Sequence, residues 1–396
     1  MILVILARLT DQETVGRYSL ALAITAPIFV FSQLGLKGVF LTHRTENIFS
    51  RYFTIQISAL ILAILASFVV TWVADPTLLP VVLLVGLVKV GDTISDLFAA
   101  PLQAFGSTAW VFWGFLAGAL FGAIAAASCL VVTGSLELTL LALALASMLG
   151  SGVFMWIPAF LLVTKHSQNP VEQIGPLRAE NHYIAIIKAG LPSGAGGAIL
   201  ALVASVPQYF LAASWGSSAV AQYAVTYYII MVADIFLGTV AQGWILRARK
   251  ALASLEIAPK GFFRFTLSTA LVWTAIMVPV SIFGTLLAAL LIPLIFGAEY
   301  QIAPAIMLPV VLAVLVLPIL SFSNMAIIVR NLYIHTITVS AISAAASILF
   351  GWLLIPPFGV VGSFWTFVLA AAVRALPGLL LIRRDEKLDS LVKEDR

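Results

Sequence analysis

The chain has 396 residues, of which 62% are hydrophobic and 10% charged, whereas soluble domains run at roughly 45–50% and about 25%. With a mean hydropathy of +1.11, this composition describes a polytopic membrane protein and excludes a soluble domain. The net charge of +4 is no nucleic-acid signal, because the basic residues lie between apolar runs rather than in one patch.

The chain opens with Met1–Leu9, apolar from its first residue and without a signal-peptide cleavage site. A spanning helix needs about 20 apolar residues, so this stub is expected to be a truncated first helix, with a natively short helix as the alternative. Runs of spanning length follow at 18–41, 52–73, 78–100, 109–132 and 138–163. After a polar connection they resume at 183–212, 219–246, 265–295, 302–329, 332–354 and 360–382. With the stub these make twelve helices. In lipid, such runs mean helices rather than a barrel. The expected organisation is a six-helix bundle at 1–165, a cytoplasmic connection at 166–182, a second six-helix bundle at 183–384, and a cytoplasmic tail at 385–396. The single cysteine, Cys129, lies inside an apolar run and admits no intrachain disulfide.

Lysine and arginine placement sets the orientation. Basic residues crowd the connections at 42–51, 164–182 and 247–264, and the tail from Arg383. With twelve alternating spans, all of these lie on one side. The opposite connections at 74–77, 133–137, 214–218, 296–301 and 355–359 contain no lysine or arginine. Both termini are therefore expected in the cytoplasm.

The stretch from Leu6 to Thr45 repeats at Leu211 to Lys250, an offset of 211 − 6 = 205 residues. Leu6 falls on Leu211, Val15 on Val220, Tyr18 on Tyr223, Phe31 on Phe236, Gly38 on Gly243 and Arg44 on Arg249. Six spans separate the copies, an even number, so the halves are parallel repeats rather than inverted ones.

Ionisable residues inside spans cost about 2.5–3.5 kcal/mol each and are functional candidates by default. Lys89, Asp92 and Asp96 share one face of the fourth span, and Gln103 continues the stripe. They line a cavity, or else Lys89 and Asp92 form an internal pair that eases insertion. Asp234 sits near the middle of the eighth span, with Tyr227 and Tyr223 on the same face. It is a candidate to take a cation or proton, and its counterpart in the first half is Phe29. Arg374, Lys188 and Arg8 complete the candidate set, each with snorkelling to the interface as the plain alternative. Lys37 and Arg330 read mainly as topology signals. Pro192, with Gly194, Gly196 and Gly197, and then Pro207 are expected to interrupt the seventh span and supply bending points. No phosphate-binding GxxxxGK[ST] motif is present, and His43, His166, His182 and His335 lack metal-ligand spacing. No enzymatic role, metal or resident cofactor is expected.

The opening Ala7-Arg8-Leu9 … Gly16-Arg17-Tyr18 resembles the first hairpin of bacterial oligosaccharide flippases of polysaccharide synthesis. Gly190-Leu191-Pro192, the outer-loop run Leu291–Ala303 with Phe296-Gly297 and Tyr300, and the turn Ile355-Pro356-Pro357 … Gly359 … Gly362 extend the likeness along the chain. The resemblance implies a Wzx-like member of the multidrug/oligosaccharidyl-lipid/polysaccharide exporter (MOP) superfamily. That means an all-α fold of about twelve transmembrane helices in two parallel six-helix repeats around a central cavity, with the first helix truncated here. It further implies translocation of undecaprenyl-diphosphate-linked repeat units across the bacterial inner membrane by alternating access. Coupling to Na+ or H+ and work alongside the polymerase and chain-length proteins of the pathway are also implied. In this frame Lys89, Arg374, Lys188 and Arg8 meet head-group oxygens and Asp234 takes the coupling ion. Two features depart from the pattern: the missing front of the first helix, and the acids Asp92, Asp96 and Asp234 that offset the basic residues. The alternatives are an ion-coupled drug or cation antiporter of the same superfamily and a membrane-embedded polymerase or acyltransferase.

Overall fold

The computed structural model describes residues 2–42, 49–167, 182–254, 261–330 and 332–394. The expected connection at 166–182 falls almost wholly outside them. Every regular element among the described residues is a helix, as lipid requires when no water is present to satisfy the backbone. Ten of these helices are long and apolar enough to cross a membrane. The last of the ten, 50 residues from His335 to Arg384, would extend about 75 Å at 1.5 Å per residue, against a hydrocarbon core of about 30 Å. Gly359, at φ 53° and ψ −129°, breaks the helical path and divides it into two passes. The expected eleven full spans are therefore present, besides the short first helix.

The chain divides into two compact units, Met1–Ala201 and Leu202–Arg396. The division falls inside one helix rather than at the expected connection 166–182. Unit 1 contains α1 (Ile2–Leu9), α2 (Gln12–Ser32), α3 (Leu36–Thr42), α4 (Phe49–Ala74), α5 (Leu79–Ala104), α6 (Thr108–Thr133), α7 (Leu136–Ser151) and α8 (Ile157–Ser167). It also holds the first part of α9 (His182–Trp215). Asp11 caps α2 by accepting the Thr14 N–H at 2.9 Å, and hydrogen bonds from Thr14 hold its carboxyl below the usual carboxylate range. On α6, Gly114, Gly118 and Gly122 repeat every four residues and take up Met155, Ser151 and Ser147 of the returning helix, so this hairpin packs nearly backbone to backbone. A single wider π turn at Gly152–Trp156 separates α7 from α8 and aims Trp156 at α5, where its indole N–H donates to Ser95 at 3.0 Å.

The second apolar run is not one straight helix. Leu34 (φ 47°) and Gly35 (φ 57°) are both left-handed and separate α2 from α3. Only Gly35 adopts that geometry without cost. The residue of α9 nearest this turn is Gly190, where a Cβ would run into the Leu34 carbonyl oxygen. One helical turn on, a Cβ at Gly194 would lie 2.9 Å from Leu34 Cα, and one at Gly197 would lie 3.0 Å from Val30 Cγ1. Here the expectation for α9 needs correction. The helix runs from His182 to Trp215 without interruption through Pro192 and Pro207, because each proline removes a single donor while the glycines serve close packing. The interruption lies in the partner, at Leu34–Gly35.

Unit 2 contains the rest of α9, α10 (Ser217–Gly243), α11 (Ile245–Ser254), α12 (Phe262–Phe296), α13 (Pro304–Val329) and α14 (Tyr333–Glu394). Its core gathers Phe262, Phe322, Met325 and Ile382, with Trp244 and Trp273 against them. The Trp215 indole donates to the Ile355 carbonyl at 3.0 Å. A Cβ at the left-handed Gly359 would lie only 3.1 Å from that same indole, so the kink and the tryptophan fit one another.

The repeat is visible in burial. Leu6 and Leu211, Val15 and Val220, and Tyr18 and Tyr223 are all buried in their own units, while Phe31 and Phe236 are both exposed. The first hairpin breaks at Leu34–Gly35, whereas Thr239 and Val240 at the matching positions lie within a continuous α10.

Two stability measurements follow. Gly190→Val should destabilise the protein by about 1–3 kcal/mol through overpacking on Leu34, whereas Gly134→Ala, whose Cβ meets open space, should cost only the strain of its left-handed turn. Asp11→Ala should cost about 0.5–2 kcal/mol near neutral pH. Because the folded carboxyl titrates below its ordinary 3.8, its stabilisation is present above that value and fades as pH falls through the lower folded one. The gap between wild type and Asp11→Ala in detergent melting curves should close in that direction.

Candidate functional site

In unit 1 the candidate site is a stripe on α5. This helix is packed by α2, α3, α4, α6, α7 and α8, and from Val81 to Leu102 Asp92 is its only exposed residue. The helix is thus enclosed on every side of its own unit except the polar one. Lys89 Nζ lies 3.3 Å from Asp92 Oδ2, one turn along the same helix. Asp96 lies a further turn along and does not join them. Its carboxylate accepts from Lys37 Nζ of α3 at 2.8 Å. Lys37, read from the sequence as a topology signal, therefore fastens the short helix after the Leu34–Gly35 turn to α5. Four charges pair into two neutral couples, and the Lys89–Asp92 couple is the more open to an incoming ligand.

Lys188 is exposed near the start of α9, and Arg8 is exposed at the end of α1. There Arg8 lies in the last helical turn, where a cation suits the helix dipole. Below the stripe, Trp156 stacks on Phe98 with ring centres 5.9 Å apart, and Phe98 meets Phe49 at 5.1 Å. This aromatic floor fixes the azimuth of α5.

In unit 2 the second half of α14 runs parallel to α10, and the two keep register. Trp215 reaches Ile355, Tyr223 packs on Phe364 at 5.0 Å, and Tyr227 meets Phe367 edge-on at 5.6 Å. Seven residues beyond Tyr227 and Phe367, two helical turns, stand Asp234 and Arg374. Their charges act on one another without a contact ion pair. Asp234 also acts on the Tyr227 phenol. Asp234 is exposed and Arg374 half-buried, and each charge lies within electrostatic reach of the other. Such a pair can bind an amphoteric or ionic group and exchange partners; a closed salt bridge cannot do so without first opening.

Asp234 and Tyr227 lie two turns apart on α10, and the sequence alone does not connect them to Arg374. The signal was available only as a register: 374 − 234 and 367 − 227 both equal 140. The Lys37–Asp96 pair had a weaker signal, opposite charges near the C-terminal ends of two alternate spans, Gln12–Leu41 and Pro76–Ala104. A double-mutant cycle of Lys37→Met and Asp96→Asn should return a coupling of about 0.2–1 kcal/mol, because both partners are about one-third exposed. The same cycle across Lys89 and Lys37 should return none.

No protein-family model matches the chain. A capsular polysaccharide biosynthesis protein of Staphylococcus aureus, CapF, is 23% identical over 383 residues, which cover 94% of this chain and 92% of that protein. Among solved structures, a MATE transporter in its straight conformation superposes with a TM-score of 0.59 at 14% identity, covering 98% of this chain and 91% of the other. A MOP superfamily transporter from Pyrococcus furiosus gives 0.58 at 13%, covering 98% and 90%. The lipid II flippase MurJ in an inward closed conformation gives 0.56 at 13%, covering 99% and 87%. The chain has the fold of these transporters.

Proposed function

We infer that this chain is a Wzx-like oligosaccharide flippase of the MOP superfamily, a multi-pass membrane protein that translocates lipid-linked sugar repeat units for surface polysaccharide synthesis. The observation that carries this reading is the similarity to CapF along nearly the full length of both chains, on a fold shared with a lipid II flippase. The candidate residues suit binding and release rather than bond-breaking: two paired couples on α5, and an open carboxylate–guanidinium pair on α10 and α14. An antiporter reading is compatible with the MATE structures, whose TM-scores are close to that of MurJ. The relation to a polysaccharide biosynthesis protein favours the flippase.

Within this reading, Lys89 and Arg374 contact the anionic head group, and each exchanges its carboxylate neighbour for substrate oxygens. Lys188 and Arg8 attract the head group from more exposed positions. Asp234, released from Arg374, takes the coupling Na+ or H+ beside Tyr227. Pro207 removes the amide donor that the Val203 carbonyl would meet, and the Ser347 hydroxyl donates to it instead at 3.2 Å; Pro192 and Pro207 are the points where α9 bends during alternating access. The basic connections lie in the cytoplasm with both termini, the membrane is the bacterial inner membrane, and polymerase and chain-length proteins act on the translocated unit.

The test is complementation in a strain deleted for this gene, read as surface polysaccharide and as drug susceptibility. Losing a charge-assisted contact of about 1.5–3 kcal/mol weakens binding roughly ten- to a hundredfold. Lys89→Ala and Arg374→Gln should therefore fail to restore polysaccharide at normal expression. Asp234→Asn should fail in the same way, while Lys37→Met should largely succeed. Full restoration by Lys89→Ala and Asp234→Asn would remove those residues from the mechanism. Drug sensitivity in the deletion strain with unaltered polysaccharide would establish the antiporter instead.

A further inference from the structure

Lys89 and Asp92 stand near the middle of the 26 residues of α5. The Asp92 side chain is 57% exposed and that of Lys89 31%, so an incoming group meets the carboxylate before the ammonium. Charge at this depth is costly against lipid, so the open edge of α5 lies along a polar path. Only Oδ2 of Asp92 contacts Lys89, at 3.3 Å. Among the described residues its other oxygen, Oδ1, has no partner. The pair is also weakly built. A lysine that precedes its acid along a helix is the less favourable of the two orders, and so exposed a couple contributes little to stability. Asp96, by contrast, is held at 2.8 Å by a lysine from another helix. What α5 presents is one ammonium beside one acceptor-only carboxylate, neutral as a pair and readily parted.

We propose that the Lys89–Asp92 pair reads a glycosyl phosphate: Lys89 takes a phosphate oxygen, and Asp92 accepts an O–H or N–H donated from the sugar carbon next to the phosphate. This assignment rests on the flippase reading and names what its substrate must carry. A fully ionised phosphate brings acceptors only. It is attracted by Lys89 and repelled by Asp92 at nearly the same distance, so it does not part the couple. A glycosyl phosphate satisfies both members, because the charge that draws Lys89 away comes with a donor for the carboxylate left behind. The reach fits as well. The two side chains rise from the helix three residues apart, about 4.5 Å, and meet at their tips. The two ligand groups must therefore be near neighbours, as substituents on adjacent sugar carbons are. Selection comes from the pairing itself. An isolated lysine would accept every phosphate in a membrane, phospholipid head groups included, whereas a carboxylate left unanswered rejects the ligand without the donor. Asp92 is the residue that tells a sugar-loaded carrier lipid from a bare phosphate.

The test titrates three soluble phosphate esters against the detergent-purified full chain at about pH 8, where each ester is a dianion. They are glucose 1-phosphate, 2-deoxyglucose 1-phosphate, which lacks the neighbouring donor, and methyl phosphate. Glucose 1-phosphate should bind about tenfold more tightly than methyl phosphate, the lower end of what one charge-assisted hydrogen bond supplies. Loss of the 2-hydroxyl should remove most of that preference. Asp92→Ala frees the ammonium, so its affinity for methyl phosphate should rise several-fold while the preference for glucose 1-phosphate disappears. A merely structural pair would give no such gain. Lys89→Gln should weaken all three esters together. Equal affinity of the wild type for the three esters, or binding of none, overturns the proposal, as does a preference that survives Asp92→Ala. The wild-type comparison needs no variant to fold, and a matching melting curve qualifies the Asp92→Ala chain. The flippase reading fails separately, through unaltered surface polysaccharide in the deletion strain, and that result leaves these affinity ratios as they are.

Discussion

Two helix backbones meet closely only where side chains are missing, and unit 1 depends on one such meeting. Gly190 and Gly194 of α9 take the left-handed turn at Leu34–Gly35 almost directly against their backbone. Apolar side chains provide little discrimination between neighbours inside a bilayer, since lipid tails are as apolar as leucine. Steric fit at a few backbone contacts therefore has to select which helices pair. The strained conformation of Leu34 persists because the surrounding contacts determine it: Gln56 donates to the Ser32 carbonyl just before the turn, and the Lys37–Asp96 pair holds the chain just after it. The turn is fixed from both sides and capped by α9.

That constraint decides where charge is available. Fastening Lys37 to Asp96 consumes the carboxylate of the α5 stripe nearest the helix C-terminus in a structural duty. What remains for a ligand is Lys89 with its neighbour Asp92, at the single uncovered edge of an otherwise enclosed helix. In unit 2 the arrangement is reversed. Packing is satisfied by a ladder of rings between α10 and α14, and the two charges beyond the ladder are left apart. Lys89 and Asp92 stand in contact in one half, whereas Asp234 and Arg374 act on one another without contact in the other, although the scaffolds match.

Much of the fold was legible in the sequence for a simple reason. Hydropathy over twenty residues responds to the bilayer, which acts on every span alike, so spans, turns and the parallel repeat could be read from composition and spacing. The buried positions of the repeat, Leu6 with Leu211 and Tyr18 with Tyr223, behave alike in the structure. The details that were missed arise from particular neighbours. Pro192 and Pro207, with Gly194, Gly196 and Gly197 between them, suggested a break and bending points in α9, yet glycines serve close packing where another backbone lies against them. Nothing local marks Leu34 as left-handed, because leucine disfavours that region and only contacts with other helices hold it there. The candidate residues were found because charge inside a span is costly, but their partners lie 59 and 140 residues away in the chain and follow from helix register rather than sequence proximity.

The two registers together explain why the repeat is informative at its mismatches. An offset of 205 relates the hairpins and an offset of 140 relates α10 to α14. The first places Phe29 of the N-terminal half opposite Asp234 in the alignment, and the second supplies Asp234 with Arg374. Phe29 is buried against Leu60 and Ala63, with Gly86 of α5 beside its ring at ordinary contact distance. The position that holds a carboxylate in unit 2 therefore carries core packing in unit 1. A carboxylate at residue 29 would be enclosed by apolar neighbours and cost several kcal/mol, whereas at residue 234 it stands exposed with a guanidinium near by. The two scaffolds match, and burial separates the copy that holds a charge from the one that does not. The α5 stripe supplies the first half with the charges its own hairpin could not accommodate.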